Sequence, residues 1–139
     1  MTEKYKILAK FIKDMSSETP DIDTYLFVKD NISKYTLNID IKTKRLKDKI
    51  YQVETTLGYT DKTENTKKSF FEMIFVTVIR LNEDLKGNDL AKVVLSDLQN
   101  EIYPELKKIF LNVLQGSGYP ELTFSKKIDF DELYKKNKN

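Results

Sequence analysis

The 139-residue chain contains no cysteine and no histidine. Those two absences remove a disulfide framework, zinc sites of the usual kinds, Ser-His and Cys-His nucleophiles and histidine general bases. Only Asp, Glu, Lys, Tyr and Ser remain for chemistry. Tryptophan is missing too, although eight Tyr and eight Phe make the aromatic content high for this length. No apolar run approaches the roughly 18 residues of a membrane span, so no direct membrane insertion is expected. Neither sign of charge dominates. The formal net charge of +2 is too small to argue for nucleic acid, and the lysines are spread along the chain. Met1-Thr-Glu-Lys-Tyr-Lys enters an alternating segment directly, so no signal peptide is expected and a cytoplasmic location is the default. No phosphate loop, dinucleotide fingerprint or carboxylate–metal spacing stands out. Asp129 and Asp131 form a weak acidic pair that helix capping explains more simply. No cofactor and no catalytic residue are expected.

What is present fits a single domain over residues 1–139, with 40% hydrophobic and 33% charged residues. Its organising stretch is 89–115. Ala91, Leu95, Leu98, Ile102, Leu106, Ile109 and Val113 recur at steps of three and four, the pattern of one apolar helix face. Asn88 or Asp89 can cap its start and Gly116 can end it, while Pro104 predicts a bend near residues 100–104. Val93, Tyr103, Leu111 and Leu114 lie off that stripe. They are either scattered surface groups or a second face against another subunit.

Four alternating segments, 4–13, 35–42, 50–60 and 69–81, read as strands. The first ends in a loop at 14–20. Residues 21–33 lack a pattern and hold an apolar knot, Tyr25-Leu26-Phe27-Val28. The basic run 42–49 reads as a connection. The fourth strand is apolar on both sides: Phe71, Met73, Phe75 and Ile79 face one way, and Phe70, Ile74, Val76 and Val78 the other, with Glu72 among them. One helix covers only one face of such a sheet, so the other face needs a partner. A short helix over 128–134, capped by Asp129, follows the Gly116-Ser-Gly118 break. The expected fold is α+β: a four-stranded antiparallel sheet on one long helix, with a short C-terminal helix. Excess apolar surface points to binding rather than catalysis.

Three stretches, in order, resemble the SecB family of protein-export chaperones. They are Lys13-Asp14-Met15-Ser16-Ser17-Glu18-Thr19-Pro20, then Ile102-Tyr103-Pro104, then Tyr119-Pro120-Glu121-Leu122 with Ile128-Asp129-Phe130 and Leu133-Tyr134. The resemblance spans about residues 5 to 134. It implies the fold just described, and a homotetramer made as a dimer of dimers through the first strand and the helix. It also implies an ATP-independent holdase that binds unfolded precursor polypeptides and hands them to the SecA motor. On this likeness Asp14, Glu18 and Glu72, with Phe70 beside them, would contact SecA. Tyr25, Phe27, Tyr119, Phe124 and Phe130 are the aromatics placed to hold an unfolded client. Val93, Tyr103, Leu111 and Leu114 would serve the oligomer interface. The chain departs from the family in its slight basicity and in Val76-Thr77, which stands where a Gly pair is usual. It also lacks the Trp before the second strand and the Arg after Pro104, and Lys127 replaces a Pro. Two other readings stand beside this one: a SecB-like chaperone dedicated to one client, such as an antitoxin, and a small-ligand carrier using the cavity between helix and sheet.

Overall fold

The computed structural model describes residues 4–63, 67–120 and 128–136. The described chain runs β1 (Tyr5–Glu18), α1 (Ile22–Asp30), a 3-10 turn (Ile32–Lys34), β2 (Thr36–Lys47), β3 (Ile50–Thr60) and β4 (Phe70–Leu81). A long helix follows, made of α2 (Asn88–Lys92), a π turn (Val93–Asp97) and α3 (Leu98–Gly116); α4 (Phe130–Lys136) comes last. The four strands form one sheet in the order β1-β4-β3-β2, with every neighbour antiparallel. β2, β3 and β4 are a meander, and β1 closes on the far side of β4. The α+β architecture expected from the sequence is the one observed.

Both faces of β4 follow the sequence pattern. Phe71, Met73, Phe75, Thr77, Ile79 and Leu81 are buried towards the long helix, while Phe70 and Arg80 are exposed on the other side. β1 does not alternate simply. Register shifts at Leu8 and Lys13 turn the strand over twice, so Ile7 pairs with Ile79 but Phe11 pairs with Val76 on the opposite face. Each extra residue reverses which side chains point inward. Lys10 consequently lies on the helix side, 2.9 Å from Glu105.

Several boundaries differ from the sequence reading. β1 continues through 14–18, where a loop was expected, because Asp14 to Glu18 pair with Ile74 to Phe70 of β4. β2 runs through the basic stretch to Lys47, because Lys42 and Lys44 pair with Glu54 and Gln52 of β3. The connection shrinks to Asp48 and Lys49, the latter at φ 63°. The patternless stretch 21–33 is mostly helical. Asp21 caps α1 by accepting the Thr24 amide at 2.8 Å, which holds the Asp21 carboxyl below its ordinary range. Apolar residues on several sides of α1 conceal its period: Val28 is buried while Ile22 and Leu26 are exposed.

The long helix also departs in detail. Gly87, at φ 57°, occupies the cap position in place of Asn88 or Asp89. The helix runs through Pro104, and its irregularity is the π turn at Val93–Asp97. Leu98, Ile102 and Leu106 belong to both the expected and the observed buried stripe. From there burial continues to Phe110 and Leu114 and back to Val94, at steps of four, rather than through Ile109, Val113 and Ala91. A step of four advances about 40° around a helix of 3.6 residues per turn, so the buried stripe winds around it. The π turn adds a residue and brings Val93 and Val94 inward together.

Candidate functional site

The side of the sheet away from the helix collects four of the sequence-expected residues. Glu18 sits opposite Phe70, Ser16 opposite Glu72, and Asp14 opposite Ile74, in three consecutive rows of the β1–β4 pair. This alignment exists because β1 extends to Glu18; Asp14 and Glu18 lie in the strand rather than leaving it. Asp14 and Glu18 are exposed, Glu72 is half-buried, and Phe70 keeps 44% of its surface. The Ser16 hydroxyl donates to Asp14 Oδ2 at 3.2 Å. Glu18 and Glu72 beside the exposed Phe70 ring, with Asp14 in the third row, can attract a basic segment and offer it an apolar contact.

At the same end, on the helix side, lies an aromatic and hydroxyl cluster. Tyr25 of α1 donates its hydroxyl to the Gly118 carbonyl and packs on Tyr119 at 5.2 Å between ring centroids. Tyr119 meets the edge of Phe71 at 5.3 Å. Its hydroxyl is 2.8 Å from both Thr19 Oγ1 and Ser69 Oγ, which are themselves 2.7 Å apart. Tyr35 accepts the Ser69 amide at 3.1 Å. Burial pushes the Tyr35 and Tyr59 phenols above their ordinary range.

The expected client aromatics are thus divided. Tyr25 and Phe27 are half-buried on α1. Tyr119 and Phe130 are not exposed as expected; they retain 3% and 2% of their surface because each anchors a segment to the body. Phe124 lies outside the described residues. The sequence reading missed Ile22 and Leu26, with 66% and 51% of their surface open to solvent. Their i, i+4 spacing behind the Pro20-Asp21 start signal is the clue that could have found them.

The off-stripe helix residues divide as well. Val93 and Leu114 belong to the core of their own chain, because the π turn and the winding stripe carry them inward, and they offer no surface to another subunit. Tyr103 and Leu111 pack partly against that core. Tyr103 meets Phe130 of α4 at 5.3 Å, and burial raises its phenol. Asp129 caps α4 by accepting the Glu132 amide at 3.1 Å, and Ser96 of the π turn donates to Asp131. Beneath that turn, buried Gln99 bonds Thr55 Oγ1 and the Val94 carbonyl, while the buried Thr77 hydroxyl has no partner among the described residues.

Among the described residues no group of three or more carboxylates could hold a metal ion, and no helix is long and apolar enough to cross a membrane.

Comparison with known proteins bears on this geometry. The family model described as preprotein translocase subunit SecB matches residues 1–139. A protein of Pelagibacter ubique (strain HTCC1062), carrying the provisional name protein-export protein SecB, is 51% identical over the whole of both chains. The protein-export protein SecB of Idiomarina loihiensis is 26% identical over 73% of this chain and 60% of its own. Among solved structures, a SecB-like chaperone of Mycobacterium tuberculosis, in complex with an antitoxin peptide, superposes with a TM-score of 0.62. That match covers 91% of each chain at 12% identity. A Streptococcus agalactiae protein of unknown function superposes with a TM-score of 0.55 at 8% identity, over 91% of this chain and all of the other. At such identities these two structures speak to the fold alone.

Proposed function

The chain belongs to the SecB family of protein-export chaperones, and from that premise we propose that it is an ATP-independent holdase. It binds unfolded precursor polypeptides in the cytoplasm and delivers them to a SecA-type motor. The observation that carries the reading is the open apolar ridge of α1, Ile22 and Leu26, beside the half-buried rings of Tyr25 and Phe27. Such a ridge takes up extended apolar side chains without reading a sequence. Tyr119 and Phe130 act as its supports, holding α1 and α4 against the body.

The motor docks on the acidic rows, where Glu18 and Glu72 flank Phe70 and Asp14 follows in the third row. Two chains join along the free edge of β1, where Leu8, Phe11 and Ile12 are exposed, and pairs stack through Tyr103 and Leu111 into a homotetramer. A second reading, a chaperone dedicated to one client, draws on the antitoxin peptide held by the Mycobacterium tuberculosis neighbour. The helix–sheet interior favours either reading over a small-ligand carrier, because Leu98, Gln99, Leu106 and Phe110 fill it.

The test is capture from a mixture of unfolded precursor, an antitoxin and SecA, without nucleotide. Recovery of precursor together with SecA supports the export reading. Recovery of the antitoxin alone replaces it with the dedicated one, and recovery of neither rejects both.

A further inference from the structure

The outer face of the sheet carries a charge pattern that extends well beyond the acidic rows assigned to the motor. Strand register sets its side chains in six rows across β1, β4, β3 and β2. The first three rows hold Glu18, Glu72, Asp14 and Asp40 and no cation. The last two hold Lys44, Lys6, Arg80 and Lys47 and no carboxylate. Between them lies the row Phe11, Val76, Glu54 and Lys42. There Lys13 reaches across β4 to Glu54 at 3.3 Å, and Val76 beneath is 1% exposed.

We propose that this face is self-complementary and docks a second copy of this chain, outer sheet to outer sheet, with the strands reversed. A two-fold axis running across the strands, between the Asp14 and Phe11 rows, sets each acidic end over the partner's basic end. Glu18 then lies over a Lys6, Asp40 over a Lys42, and Ile74 over a Val76 at the centre. An axis along the strands would instead stack acid on acid and base on base, and is repelled. A closed pair needs one surface patch that matches itself, and this pattern supplies it.

The size is adequate. A twelve-residue strand is about 40 Å long and four strands span about 19 Å. Two such faces together bury on the order of 1,500 Å², near a standard stable interface. Because the attraction is largely between exposed charges, salt weakens it. The contact uses side chains on the outer face of β1 and leaves the backbone edge of that strand and the long helix uncovered, so it does not rest on the tetramer or on the holdase reading. It covers Glu18 and Glu72, so self-association withholds the acidic rows from the motor.

The chain's lack of cysteine gives a direct test. Thr56→Cys, near the axis on β3, is treated with a short bismaleimide, and mass is followed by sedimentation. Both are done on the full chain at ionic strengths of about 0.01 M and about 1 M, between which the Debye length falls from about 30 Å to about 3 Å. At low salt the mass should be at least twice that at high salt, and Thr56→Cys should cross-link between copies only there. Glu18→Lys with Glu72→Lys should abolish the doubling, and adding Lys6→Glu with Arg80→Glu should restore it. A mass indifferent to salt, or a four-way variant that stays at the lower mass, overturns the proposal. Cross-linking keeps the native charges, so its absence at low salt overturns the proposal even if a swapped variant fails to fold.

Discussion

Two buried threonines on the neighbouring strands β3 and β4 set opposite expectations. Thr77 is fully buried and its hydroxyl has no partner among the described residues, whereas Thr55, equally buried, bonds Gln99. An unpaired buried hydroxyl costs about 1–3 kcal/mol, while a made hydrogen bond contributes about 0.5–1.5 kcal/mol net. Thr77→Val should therefore raise stability by about 1 kcal/mol and Thr55→Val should lower it by about as much. Chemical denaturation of the two variants should give midpoints shifted in opposite directions; equal shifts would show that the hydroxyls are not distinguished in this way. The buried phenols give a pH expectation. Tyr35, Tyr59 and Tyr103 are raised by desolvation, so the unfolded chain loses those protons first as pH rises. Their stability is fully present below the ordinary tyrosine value near 10 and is lost as pH climbs through the higher folded values. Thermal melting should show a fall in Tm starting above about pH 10, and Tyr103→Phe should reduce that fall.

The four strands and the long helix were legible because each carries a sustained period. What the sequence concealed has particular physical causes. Leu8 and Lys13 are bulge residues, and a bulge reverses the inward face without changing composition. The basic run Lys42–Lys47 forms a strand because β3 offers it a ladder, a tertiary partner that local charge does not announce. α1 was missed because its apolar residues serve both the core and the open surface. The π turn shifted the buried stripe by a residue, which sent Val93 and Leu114 inward. Asp14, Glu18, Phe70 and Glu72 were named from the sequence, but their alignment on one face depends on the extension of β1. The β2–β3 connection yields a local test. Lys49 holds φ 63°, a region costing roughly 1–2 kcal/mol for a residue with a Cβ. Lys49→Gly should stabilise the chain by up to about 1 kcal/mol after glycine's extra unfolded-state entropy is deducted. Differential scanning calorimetry reads this as a rise in Tm, and a fall would mean the turn does not depend on that conformation.

For the whole molecule, the proposed function assigns two surfaces to two tasks: the α1 ridge to the client, and the acidic rows to the motor. Asp14→Asn, Glu18→Gln and Glu72→Gln together should weaken motor binding while leaving the hold on unfolded chains intact. Each exposed charge contributes only about 0.2–1 kcal/mol, so the triple variant should lose on the order of tenfold in affinity by titration calorimetry. An unchanged affinity would place the motor elsewhere on the molecule. The most direct measurement of the central claim is light scattering from a reduced, unfolded precursor diluted into buffer without nucleotide. The native chain at stoichiometric amounts should suppress its aggregation, and Ile22→Ser with Leu26→Ser, which alters only exposed positions, should lose most of that effect while remaining folded. Aggregation that proceeds unchanged in the presence of the native chain would contradict the holdase account.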